Sequence, residues 1–362
     1  MPSSSVNMAE SGPLTSTTAS SSDLKISEEL VTLIRGFFAT PVIASLGKLG
    51  FFEKALSETS FNEWNFENVP NKMNLRFSFD YLSRLGFLQE TPDRQYRLTE
   101  LGKQIFQRLS SFLAPHSYGD YMRLFHEHLM DPKVRPVVDR LENIMGSGRT
   151  HERYFPVAVS HIRRKLSSGW IADIGCGDGK FLGFVLKDIP SICAIGVDLS
   201  DVSVQETRKN IEQLFPGRTI EAFGCDAADI PAWSKKIQAI SGHASLVISM
   251  WFLLHEISRR DPQNVVRFLT EVHNFFPHTP LIVGDLVRQS AELLSRHRNK
   301  LVMPEYLLFH DISGQGVLSW REYQKILKSI PYELMMQRTF DEIGESNKSK
   351  EPATFVWCLS PQ

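Results

Sequence analysis

Two groups of residues have types and spacings that can do chemistry. The first is Asp173-Ile174-Gly175-Cys176-Gly177-Asp178-Gly179, a glycine turn with a carboxylate two residues ahead of its first glycine. Glycine is needed where a ligand lies against the main chain itself, because a side chain would occupy its place. Asp198 follows 19 residues past Gly179, a spacing at which a carboxylate can accept hydrogen bonds from ribose hydroxyls. The second group is His255, Glu256 and, 55 residues beyond His255, His310. An imidazole takes up and releases a proton near neutral pH. Two histidines and a carboxylate are also the donor set of a facial metal triad that leaves coordination positions open for a substrate.

The elements that must position these groups are legible downstream of Trp170, where short apolar strands alternate with longer amphipathic stretches. That rhythm predicts an α/β fold, a Rossmann-like, mostly parallel sheet with helices on both faces. A strand over Trp170–Ile174 runs into the glycine turn, and a helix follows from Lys180 to Leu186. A second strand, Cys193–Val197, ends at Asp198 and Leu199; a third precedes Gly224-Cys225-Asp226-Ala227; a fourth spans Ser245–Met250. Ligands of open α/β sheets bind at the carboxyl ends of the strands, and both groups fall there.

The turn is G-x-G-x-G backed by Asp173, not the G-x-G-x-x-G of dinucleotide folds. A carboxylate there repels pyrophosphate and suits a cationic, amine-bearing ligand. These residues resemble the class I S-adenosylmethionine-dependent methyltransferases, whose first motif is (Asp/Glu)-x-Gly-x-Gly-x-Gly. The resemblance implies S-adenosylmethionine as cofactor, held by Asp173, Gly175, Gly177, Gly179, Asp198, Leu199, Asp226, Ala227 and Met250, with Asp226 on the adenine amino group.

The segment Met250-Trp251-Phe252-Leu253-Leu254-His255-Glu256-Ile257 resembles the small-molecule O-methyltransferases that carry an N-terminal winged-helix dimerisation domain. In that family the histidine is the general base, a role carried over to His255. The family brackets its histidine with two glutamates; the matching places here are Asp285 and Gly316, one shortened and one absent. His255, Glu256 and His310 also resemble the α-keto acid C-methyltransferases, which bind iron or zinc through a His-(Asp/Glu) pair and a later His. Such a metal would stabilise the enolate of a chelated α-keto acid. Metal-assisted C-methylation is placed ahead of O-methylation on this reading, with a non-enzymatic DNA-binding regulator third.

Upstream, residues 24–115 read as a winged-helix-like dimerisation domain. Leu30, Leu33, Ile34, Phe37 and Phe38 recur at helical spacing, and Gly86–Leu88, Thr91–Arg94 and Gln95–Thr99 read as strand, turn and strand. Thr99 would cap the next helix. The recognition segment, Asn71–Leu85, holds only Lys72, Arg76 and Arg84 as cations, too few for phosphate contacts. With 40 basic and 41 acidic residues the net charge is -1, so no nucleic-acid partner is expected and a small-molecule acceptor is. A homodimer follows from the family resemblance.

Residues 116–149 are expected to form a helical connector broken by Pro132, Pro136, Gly146 and Gly148, ahead of a catalytic domain over 150–362. Residues 1–23, rich in Ser and Thr, are expected to be a disordered tail. The four cysteines show no metal or disulfide spacing, which suits a reducing, cytoplasmic setting. No window reaches the roughly 18 uninterrupted apolar residues of a membrane span. Tyr121, Phe125, Trp251, Phe252, Met303 and Tyr306 are candidate pocket walls, and Arg259 or Arg260 could hold a substrate carboxylate. His126 and His128, two apart on a helix, point to different sides.

Overall fold

The computed structural model describes residues 21–131, 133–134, 138–296, 303–341, 344–345 and 351–362. The expected tail therefore falls outside the described residues up to position 20, as do Pro132 and Pro136. The chain divides into two compact units, residues 1–107 and 108–362. The division comes earlier than the sequence suggested, and the connector belongs to the catalytic unit. The reason lies in close packing: a Cβ at Gly146 would stand 2.5 Å from the Ala114 backbone nitrogen. Gly146 and Gly148 do not break a helix; they sit inside one, Arg140–His151, where a missing side chain lets neighbours approach.

The first unit is helical with one hairpin. Helix Lys72–Arg84 is followed by β1 (Leu88–Glu90) and β2 (Tyr96–Leu98), paired antiparallel with Leu88 opposite Leu98. Helix Glu100–Phe106 then starts at Thr99, whose side chain accepts from the Gly102 amide at 3.0 Å, as expected of a cap. Phe51, Phe61 and Phe79 form an aromatic core in which Phe61 packs edge-on against both Phe51 and Phe79. In its first helix, Ser21–Lys48, the stretch Glu28–Lys48 is long and apolar enough to cross a membrane by length and composition, although it holds no uninterrupted apolar run of that length.

The second unit is built on one sheet. Its strands are β3 (Gly169–Ile174), β4 (Ile192–Asp198), β5 (Ile220–Gly224), β6 (Leu246–Trp251), β7 (Leu281–Leu286), β8 (Tyr332–Asp341), β9 (Gly344–Glu345) and β10 (Thr354–Pro361). They stand in the order β5-β4-β3-β6-β7-β10-β8-β9. The first five are parallel, whereas β10 runs antiparallel between β7 and β8. This is the expected Rossmann-like α/β fold. Central strands such as Gly169–Ile174 are buried on both faces, as parallel strands covered by helices must be. One core packs helices Phe155–Lys165, Lys180–Asp188 and Asp201–Leu214 on the sheet; a second packs helices Ile230–Ser241, Pro262–Phe275 and Trp320–Leu327. Because β3 pairs with both β4 and β6, the strand order reverses at β3, and a crevice opens beyond its carboxyl end.

Candidate active site

The glycine turn occupies that crevice. Gly175, Gly177 and Gly179 have φ of 79°, 58° and 74°, left-handed values that L side chains rarely adopt. Space is short as well: a Cβ on Gly179 would lie 2.9 Å from Thr207 Cγ2, and one on Gly177 would lie 3.1 Å from Ile144 Cγ2. Amides of Gly175 and Cys176 both donate to the Val197 carbonyl, tying the turn to the end of β4. Asp198 completes the link, accepting from the Gly177 amide at 3.0 Å through one oxygen and from the Ser200 amide at 2.9 Å through the other.

Asp173 is buried beneath the turn, 2% exposed, and accepts from the Ser249 hydroxyl at 2.7 Å. Burial, opposed by that hydrogen bond and reinforced by the charge of Asp198, raises its pKa to about 7. An ammonium group placed nearby would restore the carboxylate, so the site fits the amine of the methionine end. Asp226 is exposed, one oxygen accepting from the Ala228 amide at 2.8 Å. Leu199 is also exposed, and the Ala227 carbonyl accepts from Trp233 Nε1 at 3.0 Å. Met250 differs from these: its side chain packs wholly inside the core, so only its main chain can face a ligand. A glycine cradle, a buried carboxylate and acids at the ends of β4 and β5 together fit S-adenosylmethionine.

The second group lies beyond β6. Phe252 takes a φ of 53° and its amide donates to the Gly284 carbonyl at 2.7 Å, reversing the chain into helix Leu254–Ser258. Gly284 has no alternative, since a Cβ there would lie 2.5 Å from the Trp251 ring. His255, with its side chain 5% exposed, is held by Asp285 twice: Nδ1–H donates to Oδ1 at 2.7 Å and the backbone amide donates to Oδ2 at 3.0 Å. Burial pulls the pKa of His255 down, but the charge and hydrogen bond of Asp285, with Glu256, outweigh it and leave a net rise. In the neutral imidazole the Asp285 carboxylate keeps the proton on Nδ1, and the lone pair is on Nε2.

His310 closes on the same ring. Its centroid stands 4.7 Å from that of His255, with the planes at 77°. Its Nδ1 donates to the Tyr306 carbonyl at 2.5 Å. Burial first, then the charge of His255, lowers the His310 pKa to about 4. Glu256 does not join them. Successive helical residues point roughly 100° apart, and the Glu256 carboxylate accepts instead from Gln315 Nε2 at 3.1 Å on the exposed side. Among the described residues no three His, Cys, Asp or Glu side chains are gathered to hold a metal ion. The expected iron or zinc triad of His255, Glu256 and His310 is thus not assembled, and the donor set does not fit the metal.

The other candidates separate clearly. Trp251 faces the core against Phe155 and Phe181, whereas Phe252 stacks on His151 with centroids 3.4 Å apart. Arg260 is turned to Asp311, and Tyr121 stacks on His128. His151 was missed in the sequence. It ends helix Arg140–His151, which also places Ile144 over Gly177 and Gly148 beside Asp178. Burial, then the charge of His255, holds its pKa well below the ordinary histidine value. The two glycines at positions 146 and 148 were the available signal, had they been read as close approaches.

Residues 171–274 match the family described as methyltransferase domain. Over 61 residues the chain is 46% identical to the Xenopus tropicalis tRNA (carboxymethyluridine(34)-5-O)-methyltransferase alkbh8, a stretch covering 17% of this chain and 8% of that relative. The chain thus spans about 8% of the length of the curated relative it matches. Whole-chain likeness is to solved methyltransferases, among them O-methyltransferases and a riboflavin-type N,N-dimethyltransferase. An O-methyltransferase family protein from Burkholderia thailandensis superposes with a TM-score of 0.60 at 13% identity, over 93% of this chain and 98% of that one. Human N-acetylserotonin methyltransferase gives 0.57 at 12%, over 95% and 99%. Mitomycin 7-O-methyltransferase gives 0.55 at 14%, over 94% and 99%. At these identities the likeness is one of fold.

Proposed function

We propose that this chain, a class I S-adenosylmethionine-dependent methyltransferase, methylates a hydroxyl of a small-molecule acceptor with His255 as general base. The observation that carries this reading is the double grip of Asp285 on His255, which orients the ring and, in its neutral form, places the lone pair on Nε2. S-adenosylmethionine supplies the electrophilic methyl on a sulfonium. The main chain of Gly175, Gly177 and Gly179 and the carboxylates of Asp173, Asp198 and Asp226 would hold it. His255 takes the acceptor hydroxyl proton on Nε2 as the oxygen–methyl bond forms and the carbon–sulfur bond breaks. Asp285 stabilises the imidazolium until the proton passes to solvent. Holding the two reactants at near-attack distance supplies most of the rate.

Metal-assisted C-methylation of an α-keto acid is the competing chemistry, and chelation separates the two. Turnover of methyl-labelled donor on hydroxylated acceptors should survive complete metal removal. It should fall roughly 10²–10⁴-fold in His255→Ala. A product methylated on carbon, formed from an α-keto acid and lost on chelation, would overturn the reading in favour of the metal. The first unit serves, on this reading, to pair two copies of the chain: Leu33 and Phe37 of its first helix are 73% and 76% exposed, more apolar surface than one isolated copy leaves in water.

A further inference from the structure

Both imidazoles of the second group are locked in the same tautomer, and this restricts the acceptor. A backbone carbonyl can only accept, so the 2.5 Å contact from Nδ1 to the Tyr306 carbonyl puts the His310 proton on Nδ1. The Asp285 carboxylate does the same for His255. As a neutral imidazole each ring therefore offers an Nε2 lone pair, and the two rings stand 4.7 Å apart, centroid to centroid. A hydroxyl carries a single proton and can donate to only one of them. With an acceptor bearing one hydroxyl, the second imidazole nitrogen loses its water without gaining a donor, which costs affinity. His310 stays neutral at neutral pH because burial and the charge of His255 oppose its protonation. It cannot act as a second base, but it can accept a hydrogen bond throughout the reaction.

We propose that His310 is a second acceptor-contacting residue, and that the acceptor is an ortho-dihydroxy or ortho-amino-hydroxy aromatic compound with its two donors shared between His255 and His310. The assignment rests on reading the surroundings of His255 as the acceptor site. Nε2 of His255 receives the proton of the group that is methylated; Nε2 of His310 holds the neighbouring donor and sets which group faces the methyl. An aromatic hydroxyl suits the base, because a phenol with a pKa near 10 lies within reach of an imidazole, whereas an alkyl alcohol does not. The residues on either side of His310 in the chain are held in place. The neighbouring Asp311 accepts from both Arg288 and Arg260, and Phe309 stacks flat on Tyr118 at 4.4 Å.

Titration calorimetry on the full chain saturated with S-adenosylhomocysteine tests the assignment, using catechol against phenol and 2,3-dihydroxynaphthalene against 2-naphthol. Each dihydroxy compound should bind on the order of 10- to 100-fold more tightly than its partner. In His310→Phe the ratio should collapse to near one, and His310→Gln, which keeps an acceptor oxygen, should recover part of it. Nitrogen-15 shifts should show the His310 proton on Nδ1 in the wild type, independently of any variant's folding. Equal binding within both pairs, no saturable binding of either dihydroxy compound, or a preference that persists in His310→Phe would overturn the proposal. If the preference depends on His310 while methyl transfer goes to carbon or is absent, the O-methylation reading falls and the His310 assignment stands. If transfer to hydroxyl depends on His255 but the pairs bind equally, the reverse holds.

Discussion

Replacing Asp285 by Asn probes the proposed base through the group that orients it. Asp285 is wholly buried and accepts from three donors: His255 Nδ1–H at 2.7 Å, the His255 amide at 3.0 Å and the Leu286 amide at 2.6 Å. An asparagine has one oxygen to accept with and an NH₂ group that only donates. If the NH₂ faces Nδ1, His255 must accept there and carry its proton on Nε2, the wrong tautomer for a base. The rate then falls by roughly 10²–10⁴. If the oxygen faces Nδ1, the tautomer survives but the His255 amide meets another donor. A buried unsatisfied group costs about 1–3 kcal/mol, and each such kilocalorie lowers the melting midpoint of a unit this size by roughly 2–4 °C.

The pH profile supplies an independent readout. Burial lowers the His255 pKa, and the charge and hydrogen bond of Asp285, aided by Glu256, more than reverse that. A base must be neutral to act, so activity should fall as pH drops through this raised value. The side-chain amide introduced by Asp285→Asn carries no charge, so in that variant the acid limb should move to lower pH. The same raised pKa means that the pair stabilises the fold fully below the ordinary histidine value and loses that contribution as pH rises through the folded value. The assays are kcat/KM across the neutral range and thermal unfolding of both proteins. An Asp285→Asn variant with unchanged rate, unchanged acid limb and unchanged melting midpoint would refute the reasoning.

Two further outcomes are expected. Donor binding measured calorimetrically should weaken as pH falls through about 7, where buried Asp173 gains its proton and can no longer pair with an ammonium. Asp173→Asn should bind weakly at every pH and lose that dependence, and a wild type whose affinity is flat across that range would contradict the role given to Asp173. Leu33→Ser with Phe37→Ser should convert a dimer to a monomer in analytical ultracentrifugation of the full chain, these being the most exposed large apolar side chains of the first helix. Recovery of the unmodified chain in a membrane fraction, released only by detergent, would assign that helix to a bilayer instead.

The donor half of the site was legible because its determinants are local. Positive φ at Gly175, Gly177 and Gly179, a strand running into the turn and Asp198 at the end of the next strand all lie within residues 169–198, so residue type and spacing carry the information. The same holds for the hairpin ending at Thr99 and for the parallel order of strands. His255 was found by its place after β6, and Asp285 by its match to a family position. What no spacing could show is that Asp285 grips His255 at two atoms, since β7 brings it across 30 residues of chain.

The acceptor half depended on direction, which is a tertiary property. His255 and Glu256 are adjacent in sequence, and adjacency suggested a shared ligand; on a helix they diverge, one into the buried dyad and the other to Gln315. His151 and helix Arg140–His151 read as a connector because glycines at 146 and 148 look like breaks. Only packing against Ala114 and Asp178 shows that the absence of a side chain is what lets that helix close over the turn. The sequence by itself determined which methyl donor chemistry the chain can hold, because the main-chain conformation of a few consecutive residues sets that cradle. The tertiary structure alone decided which imidazole nitrogens are left with lone pairs, because a tautomer is set by partners that folding brings from distant strands and helices.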